Sequence, residues 1–396
     1  MPTPTPRPRE VLITGAYFPE MSSGGLQSQA AARALHGRMD IVVLTTSTDP
    51  ALPAHDIVER VPVSRICVDV ESRWSLVMAT LRMTTELLRL LPRVNFAHIQ
   101  GYSTKNILVS VLAKLFARPV ILHLQTAKHD EPETVQTQGR LAWWAYSTAD
   151  LYLSVSPGLT ARYLAAGLPA DRIREIPNGV DATRFSPASA EERSALRRRL
   201  NLPLERPLIL FVGVISPDKQ PHVLLDAWLR LQSDPALAST LVFVGATDPT
   251  LFELGGRLID QLRATAQASG FVDRVLFIQP TNQIQDYFRA ADVYAMPSLR
   301  EGLPIALLEA MACGLACVAS RLPGATDVMV QDQVNGLLVP PQDPTALATA
   351  LAAVITDPAK AAQMGAAARL TVEGRYTMER VADMWLDAYH HVLANR

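Results

Sequence analysis

Two glutamates, Glu301 and Glu309, bracket the start of the segment EGLPIALLEAMACG, with seven residues between them. The apolar strand patterns DVYAM and ACVAS flank it, so the stretch reads strand, loop, helix, strand. If the helix begins near Pro304, the missing proline N–H falls in the first turn, where no partner is needed. The amides of Gly302, Leu303 and Ile305 are then open to an anion. Eight residues of helix rise about 12 Å. The paired acids of a glycoside hydrolase stand roughly 5–10 Å apart across one bond. One extended ligand held at two points fits better, with its phosphates at the helix start. A nucleoside diphosphate sugar has that layout, sugar at one end and ribose at the other. The alternative is an amphipathic helix with solvated acids. Glu309 argues against it, because it sits inside the apolar run LLEAMA, where a carboxylate needs a partner.

Such a site needs a sheet to carry it. VLITGAYF, DIVVLTT, NFAHIQ, PVILHLQ and LYLSVS are strand patterns, separated by helical stretches such as QSQAAARALHGR and residues 105–116. The rhythm breaks around Asn178 in a polar, proline-bearing stretch. It restarts with PLILFVGV, LVFVGA, VLFIQP, DVYAMPS, ACVAS and GLLVPP. This is the βαβ alternation of parallel sheets, an α/β fold with two Rossmann-like domains. The first strand is not followed by G-x-G-x-x-G, and no G-x-x-x-x-G-K-[ST] occurs, which disfavours a dehydrogenase and a P-loop NTPase.

Composition agrees. The 396 residues are 48% hydrophobic and 19% charged, enough for large cores. A net charge of -1 offers no bulk attraction to nucleic acid. Cys67, Cys313 and Cys317 form no disulfide framework and suit a reducing compartment. Cys313 and Cys317 read as small core residues, and no metal-ligand cluster is visible. The opening MPTPTPRPRE lacks the apolar run of a signal peptide, and nothing is long enough to span a bilayer, so the expected location is cytoplasmic.

EGLPIALLEAMACG resembles the signature of the family 4 glycosyltransferases, a retaining group with the GT-B fold. The resemblance implies two Rossmann-like domains facing a cleft, over residues 1–185 and 186–372, with a closing helix in 373–396 that crosses back to the first domain. It implies transfer of a sugar from a UDP- or GDP-sugar to an acceptor hydroxyl with retention, by a front-face route without metal. The nucleotide sugar is a substrate, so no cofactor is expected. The acceptor is a glycan, a lipid-linked intermediate or a small metabolite, and contact with a membrane surface would be weak and peripheral. Other GT-B reactions, sugar-nucleotide epimerisation or phosphorolysis, and a non-catalytic partner are the alternatives.

The same resemblance assigns residues. Glu301 lies by the donor sugar, Glu309 on the ribose hydroxyls, and Gly302 and Leu303 at the sugar and phosphate. Gly24 and Gly25, after Ser22 and Ser23, match a glycine-rich loop facing the donor phosphate; on their own they are only a turn signal. His123, in PVILH, matches a histidine near the donor sugar, while a lone histidine on an apolar strand also reads as a structural group. His129 is the nearby alternative. IPNGVD matches the interdomain segment, with Asn178 a contact on the sugar side. FVGVISPDKQ matches a phosphate loop in which Lys219 is the cation. Two departures stand out: Val214 occupies the usual arginine position, and Gln220 replaces the glycine after the lysine. Arg300 is a candidate to compensate for the first. Asp327 stands where a glutamate is usual and receives no role.

Residues Trp74 to Leu91 form a further helix pattern with arginines and one acid. Trp74, Val77, Met78, Leu81, Leu88 and Leu91 fall near one face. Packing of that face against the first sheet is the expectation, and a membrane-surface helix the alternative.

Overall fold

The computed structural model describes residues 7–20, 23–245 and 253–394. The chain divides into two compact units, Met1–Gly179 with Met378–Arg396, and Val180–Thr377.

The first unit opens with β1 (Arg9–Thr14), α1 (Ser23–Ala34), β2 (Asp40–Ser47), β3 (His55–Val58) and β4 (Val61–Cys67). It continues through α2 (Arg73–Leu90), β5 (Phe96–Gln100), α3 (Asn106–Leu115) and β6 (Val120–Leu124). Then follow α4 (Pro132–Thr137), α5 (Arg140–Ser147), β7 (Leu151–Ser154), α6 (Pro157–Ala165) and β8 (Ile173–Glu175). The strands form one sheet in the order β3-β4-β2-β1-β5-β6-β7-β8. Every pairing is parallel except β3 with β4. The C-terminal helix Met378–Ala394 belongs to this unit, and Val381, Trp385, Tyr389 and Val392 enter its core beside Leu12, Phe96 and Ile121. Its apolar face recurs at helical spacing, which is why a segment remote in sequence can complete the core.

The second unit runs α7 (Ala190–Arg199), β9 (Leu208–Val212), α8 (Pro221–Leu231), β10 (Thr240–Val244), α9 (Glu253–Ala268) and β11 (Val275–Ile278). It goes on with α10 (Ile284–Ala290), β12 (Val293–Met296), α11 (Ile305–Ala312), β13 (Ala316–Ser320), β14 (Leu337–Val339), α12 (Pro344–Thr356) and α13 (Pro358–Arg375). The sheet order is β11-β10-β9-β12-β13-β14, all parallel. That is the doubly wound order, in which successive strands step outward from β9 and then restart on its other side at β12. Near-continuous apolar strands such as LILFV and ACVAS are what a sheet covered on both faces requires.

The division between units falls at Gly179/Val180 and Thr377/Met378 rather than after residues 185 and 372. The residues in between are held inside the second unit: Val180 N donates to Tyr376 O at 2.8 Å, and Phe185 packs edge-on against Phe288. α2 forms as the pattern implies, but its expected packing face is the wrong one. Met83, Leu87 and Leu90 are buried, as is Leu91 just beyond the helix, while Trp74, Val77, Met78, Leu81 and Leu88 are exposed. Two apolar stripes compete on this helix, and the sheet takes the one whose residues lie toward the C-terminal end. Among the described residues, no helix is long and apolar enough to cross a membrane.

Close backbone approach fixes the far side of the second unit. A Cβ on Gly365 of α13 would stand 2.0 Å from Gly314 O, whereas one on Gly374 of the same helix meets nothing within 4 Å. Gly365→Ala is therefore expected to destabilise by more than about 2 kcal/mol, because only backbone movement relieves the clash. Gly374→Ala should be neutral or stabilising by up to ~1 kcal/mol, through helix propensity alone. Urea titration of the two variants separates these outcomes.

Candidate functional site

In a doubly wound sheet the strand order reverses at one place, and the connections there part to leave a crevice beyond the carboxyl ends of the strands. In the second unit that place lies between β9 and β12. The loop after β9 carries Lys219 and the loop after β12 carries Glu301. The two loops are bolted together. Leu299 N donates to Asp218 O at 2.7 Å, Arg300 Nη2 to Asp218 Oδ1 at 2.5 Å, and Lys219 Nζ to Glu301 Oε1 at 2.6 Å. The cation and the acid singled out in the sequence thus neutralise one another. The Glu301 side chain is only 9% exposed, so a charge left alone there would be poorly solvated. Arg300 is committed to Asp218, and Val214 lies on the surface.

Gln220 explains one departure from the family pattern. It adopts the left-handed conformation, φ 50° and ψ 44°, that favours glycine. Its Nε2 donates to Pro217 O at 3.2 Å, but its Oε1 is buried without a partner.

α11 begins at Ile305, with Pro304 as N-cap at ψ 115° rather than as first helical residue. The residue before the helix is extended, which the fixed proline φ tolerates. No side chain caps this end. The Leu303 side chain is buried in the unit. Glu309 follows further along α11, and its carboxyl makes no hydrogen bond or ion pair among the described residues. Burial pushes its pKa up to about 8, with Arg184 pulling the other way. Arg184 itself donates to Asn282 O at 2.8 Å and to Gln285. Tyr294 Oη and Ser298 Oγ, on β12 and just beyond it, are buried without partners among the described residues. Burial and then the Glu301 charge raise the Tyr294 pKa. Buried polar atoms are nearly always paired in folded proteins, so these two are candidates for a partner that the chain does not supply.

In the first unit the strand order reverses between β1 and β5. α1 begins at Ser23, and Ser22 lies outside the described residues. A Cβ on Gly24 would meet Gln125 Oε1 at 3.0 Å, and Gly25 is buried. Gln125 starts a buried polar chain: its Nε2 donates to Gln100 Oε1, and Gln100 Nε2 lies 3.4 Å from His98 Nε2. Tyr389 Oη stands 2.8 Å from His98 Nδ1. A neutral imidazole has one donor and one acceptor. With Nε2 accepting from Gln100, Nδ1–H donates to Tyr389, while a Glu10 carboxyl oxygen lies 3.6 Å from the same nitrogen. Burial raises the Glu10 pKa to about 8 and lowers that of His98 to about 3.

His123 lies beside this chain, 1% exposed, stacked 5.5 Å from His98 and edge-on to Trp385 of the C-terminal helix at 5.2 Å. Neither of its ring nitrogens has a partner. Burial, then His98, holds its pKa well below the ordinary value, so it is a neutral imidazole. It could exchange hydrogen bonds with a hydroxyl but could not act as a cation. His129 is exposed. Asn178 is buried, and its neighbour Gly179 exchanges two hydrogen bonds with Gln27 of α1, at 2.7 and 3.1 Å. Asp130 was not singled out in the sequence. It accepts from the amides of Tyr102, Gln125 and Thr126 at 2.6 to 2.7 Å and so pins the loops after β5 and β6. Arg184, Tyr294 and Ser298 were missed too. No spacing signals them, although Tyr294 and Ser298 lie within the quoted strand pattern DVYAMPS and Arg184 lies close to IPNGVD.

Residues 192–371 match the family described as glycosyl transferases group 1, and residues 24–179 match the glycosyl transferase 4-like domain. Each unit of the chain thus matches a glycosyltransferase family. A D-inositol 3-phosphate glycosyltransferase of Xylanimonas cellulosilytica is 37% identical over 236 residues, 58% of this chain and 54% of that protein. An alpha-maltose-1-phosphate synthase of Mycolicibacterium smegmatis is 34% identical over 259 residues, 63% and 65% of the two chains. The chain spans about half the length of the first of these relatives. The glycosyltransferase fold is shared with sucrose-phosphate synthase of Thermosynechococcus elongatus, at a TM-score of 0.83 and 23% identity over 98% of this chain and all (100%) of that one. Anabaena HepE, solved with UDP and glucose, superposes with a TM-score of 0.79 at 18% identity, over 97% of this chain and 100% of that one. These neighbours make both units a GT-B pair of Rossmann-like domains.

Two outcomes test the local readings. Glu10 has its folded pKa raised from 4.5 to about 8. Its protonated form therefore supports the fold fully below pH 4.5, and that support is lost as pH rises through 8. The melting temperature of Glu10→Gln relative to wild type should climb across this window and level off above it. Gln220→Gly should raise the melting temperature by a few degrees, since relief of the left-handed strain and of a buried orphan oxygen, about 1–3 kcal/mol, exceeds the single hydrogen bond lost.

Proposed function

We propose that this glycosyltransferase moves a sugar from a nucleoside diphosphate sugar to an acceptor hydroxyl, with retention of configuration. The observation that carries the reading is the group of buried unpartnered polar atoms among the described residues on Tyr294, Ser298 and Gln220, near the Lys219–Glu301 pair. In this reading Lys219 leaves Glu301 for the donor diphosphate, and the backbone before α11 at Gly302 and Leu303 adds amide dipoles to the same phosphates. Glu301, released, orients the sugar hydroxyls. Glu309 accepts from the ribose hydroxyls, which supply the partner its carboxyl lacks. In the first unit, Gly24, Gly25, Asn178 and the neutral His123 are the candidate contacts for the phosphate and sugar edge. The sugar C1–O bond to the diphosphate breaks, the bond from C1 to the acceptor oxygen forms on the same face, and the acceptor proton passes to the departing phosphate oxygen. Positioning and charge stabilisation are then the work of the protein. HepE, solved with UDP, makes a uridine donor the first choice, with a guanosine donor next.

A second reading has one observation in its favour. Val214 stands where the family pattern carries an arginine, and Lys219 is already engaged, so a non-catalytic partner that has lost donor binding is the rival.

Thermal shift and calorimetry with UDP, GDP, ADP and their sugars separate the two. One base should stabilise clearly, by about 2.7 kcal/mol at a hundredfold excess over Kd, and no response to any of them sinks the catalytic reading. Glu309→Ala should weaken donor binding on the order of tenfold, the scale of one charged hydrogen bond. Unchanged affinity would remove the ribose role while leaving the rest standing.

A further inference from the structure

We propose that the second unit carries a further small-molecule site, at the amino end of its sheet, that binds an organic anion with an apolar body. A cavity of about 780 Å³ opens there. Its lining includes Pro207, Val293 and Ala316, at the amino ends of β9, β12 and β13, together with residues of α7 and α13. The loops of Lys219 and Glu301 follow the carboxyl ends of the same strands, and the five residues of β9 span about 17 Å. The void follows from the sequence of α13. Gly365 holds that helix against Gly314, yet the neighbours that line the cavity are Ala361, Ala362 and Ala366, whose short side chains leave the space unfilled. Packed interiors keep few voids larger than a water, and this one has the volume of a small-ligand pocket. Leu204 and Leu370, also lining it, are left 42% and 68% exposed.

The charges select the occupant. Arg193, Arg197, Arg206 and Arg369 line the cavity, against two acids, Glu205 and Asp292. Asp292 serves two guanidiniums at once, accepting from Arg193 Nη1 at 3.0 Å and Arg197 Nη2 at 2.5 Å, and from the Leu208 amide at 2.7 Å. Arg193 Nε is left buried without a partner among the described residues. Arg369 is spent on Glu373 and on the carbonyls of Phe185 and Ala312. Arg206 is exposed and makes no ion pair among the described residues, while Arg197 Nη1 holds its loop to α7 by donating to Arg206 O at 3.3 Å. Two guanidiniums, Arg193 and Arg206, are therefore short of acceptors at one aliphatic cavity. A carboxylate, sulfonate or phosphate supplies such acceptors in the planar arrangement that arginine favours. A bare inorganic anion would leave the apolar lining uncovered, and a neutral apolar molecule would leave the arginines unmet. The inference stands apart from the donor reading, since none of these residues is assigned to donor binding.

The test is fluorescence titration of the full chain with two dyes that share one aromatic body, anilinonaphthalene sulfonate, which is an anion, and phenylnaphthylamine, which lacks the sulfonate. The anionic dye is expected to saturate at one per chain and the neutral dye to bind about tenfold more weakly, the scale of one charge-assisted hydrogen bond. Arg206→Gln should weaken the anionic dye roughly tenfold and leave the neutral one unchanged. Ala366→Trp, which fills the cavity from an exposed position of α13, should abolish the binding of both. Both substitutions lie at the surface, so the melting temperatures should match wild type. No saturable binding, equal affinity for the two dyes, or binding untouched by Ala366→Trp would overturn the proposal. So would displacement of the dye by UDP, which would put it in the donor site. Nucleotide binding, measured in parallel without dye, reports separately on the donor reading.

Discussion

Parallel strands cannot be joined by tight turns, and every connection in the second unit must travel the length of the sheet and return. With β9 laid down first, β10 and β11 extend one way and β12 to β14 the other. The loops after β9 and β12 are therefore the pair that part at the carboxyl end of the sheet. Lys219 and Glu301 sit on those two loops. Everything polar in the candidate site is referred to that gap. The close contact of Gly365 with Gly314 lies beyond the other end of α11 and fixes where that helix runs.

The electrostatics of the second unit describe a site closed on itself. Lys219 and Glu301 satisfy each other at 2.6 Å, and Arg300 satisfies Asp218. Glu309 has no such partner among the described residues, and burial raises its pKa to about 8. A dianionic diphosphate would compete for the lysine and free an acid already aimed into the same space. A hydroxyl pair would meet Glu309. The unpaired atoms nearby, Tyr294 Oη and Ser298 Oγ, cost stability while nothing is bound. A surplus of that kind is common where a protein is organised for a ligand rather than for itself.

The first unit places its polar groups in another way. From Tyr389 through His98 and Gln100 to Gln125, the donors and acceptors run in one direction. This only closes because Tyr389 arrives from the C-terminal helix. The same helix sets Trp385 against His123. A segment at the end of the sequence thus decides the protonation state and surroundings of groups on β1, β5 and β6, and the loops that follow are pinned by Asp130.

Sequence alone determined the alternation of strands and helices, because apolar runs of strand length and helical periodicity are local properties. It also determined the strand–loop–helix context of Glu301 and Glu309, since a proline–glycine turn before an apolar helix is local too. Gln220 was legible as a departure, but its left-handed backbone was not. Pairings across the fold lay beyond it. Lys219 and Glu301 are far apart in the chain, and only the neighbouring of β9 and β12 makes them partners. The choice between two apolar stripes on α2 was also undecidable locally, because both have helical spacing and the sheet could accept either. Tertiary packing chose Met83, Leu87 and Leu90, and left Trp74 and Leu81 facing out.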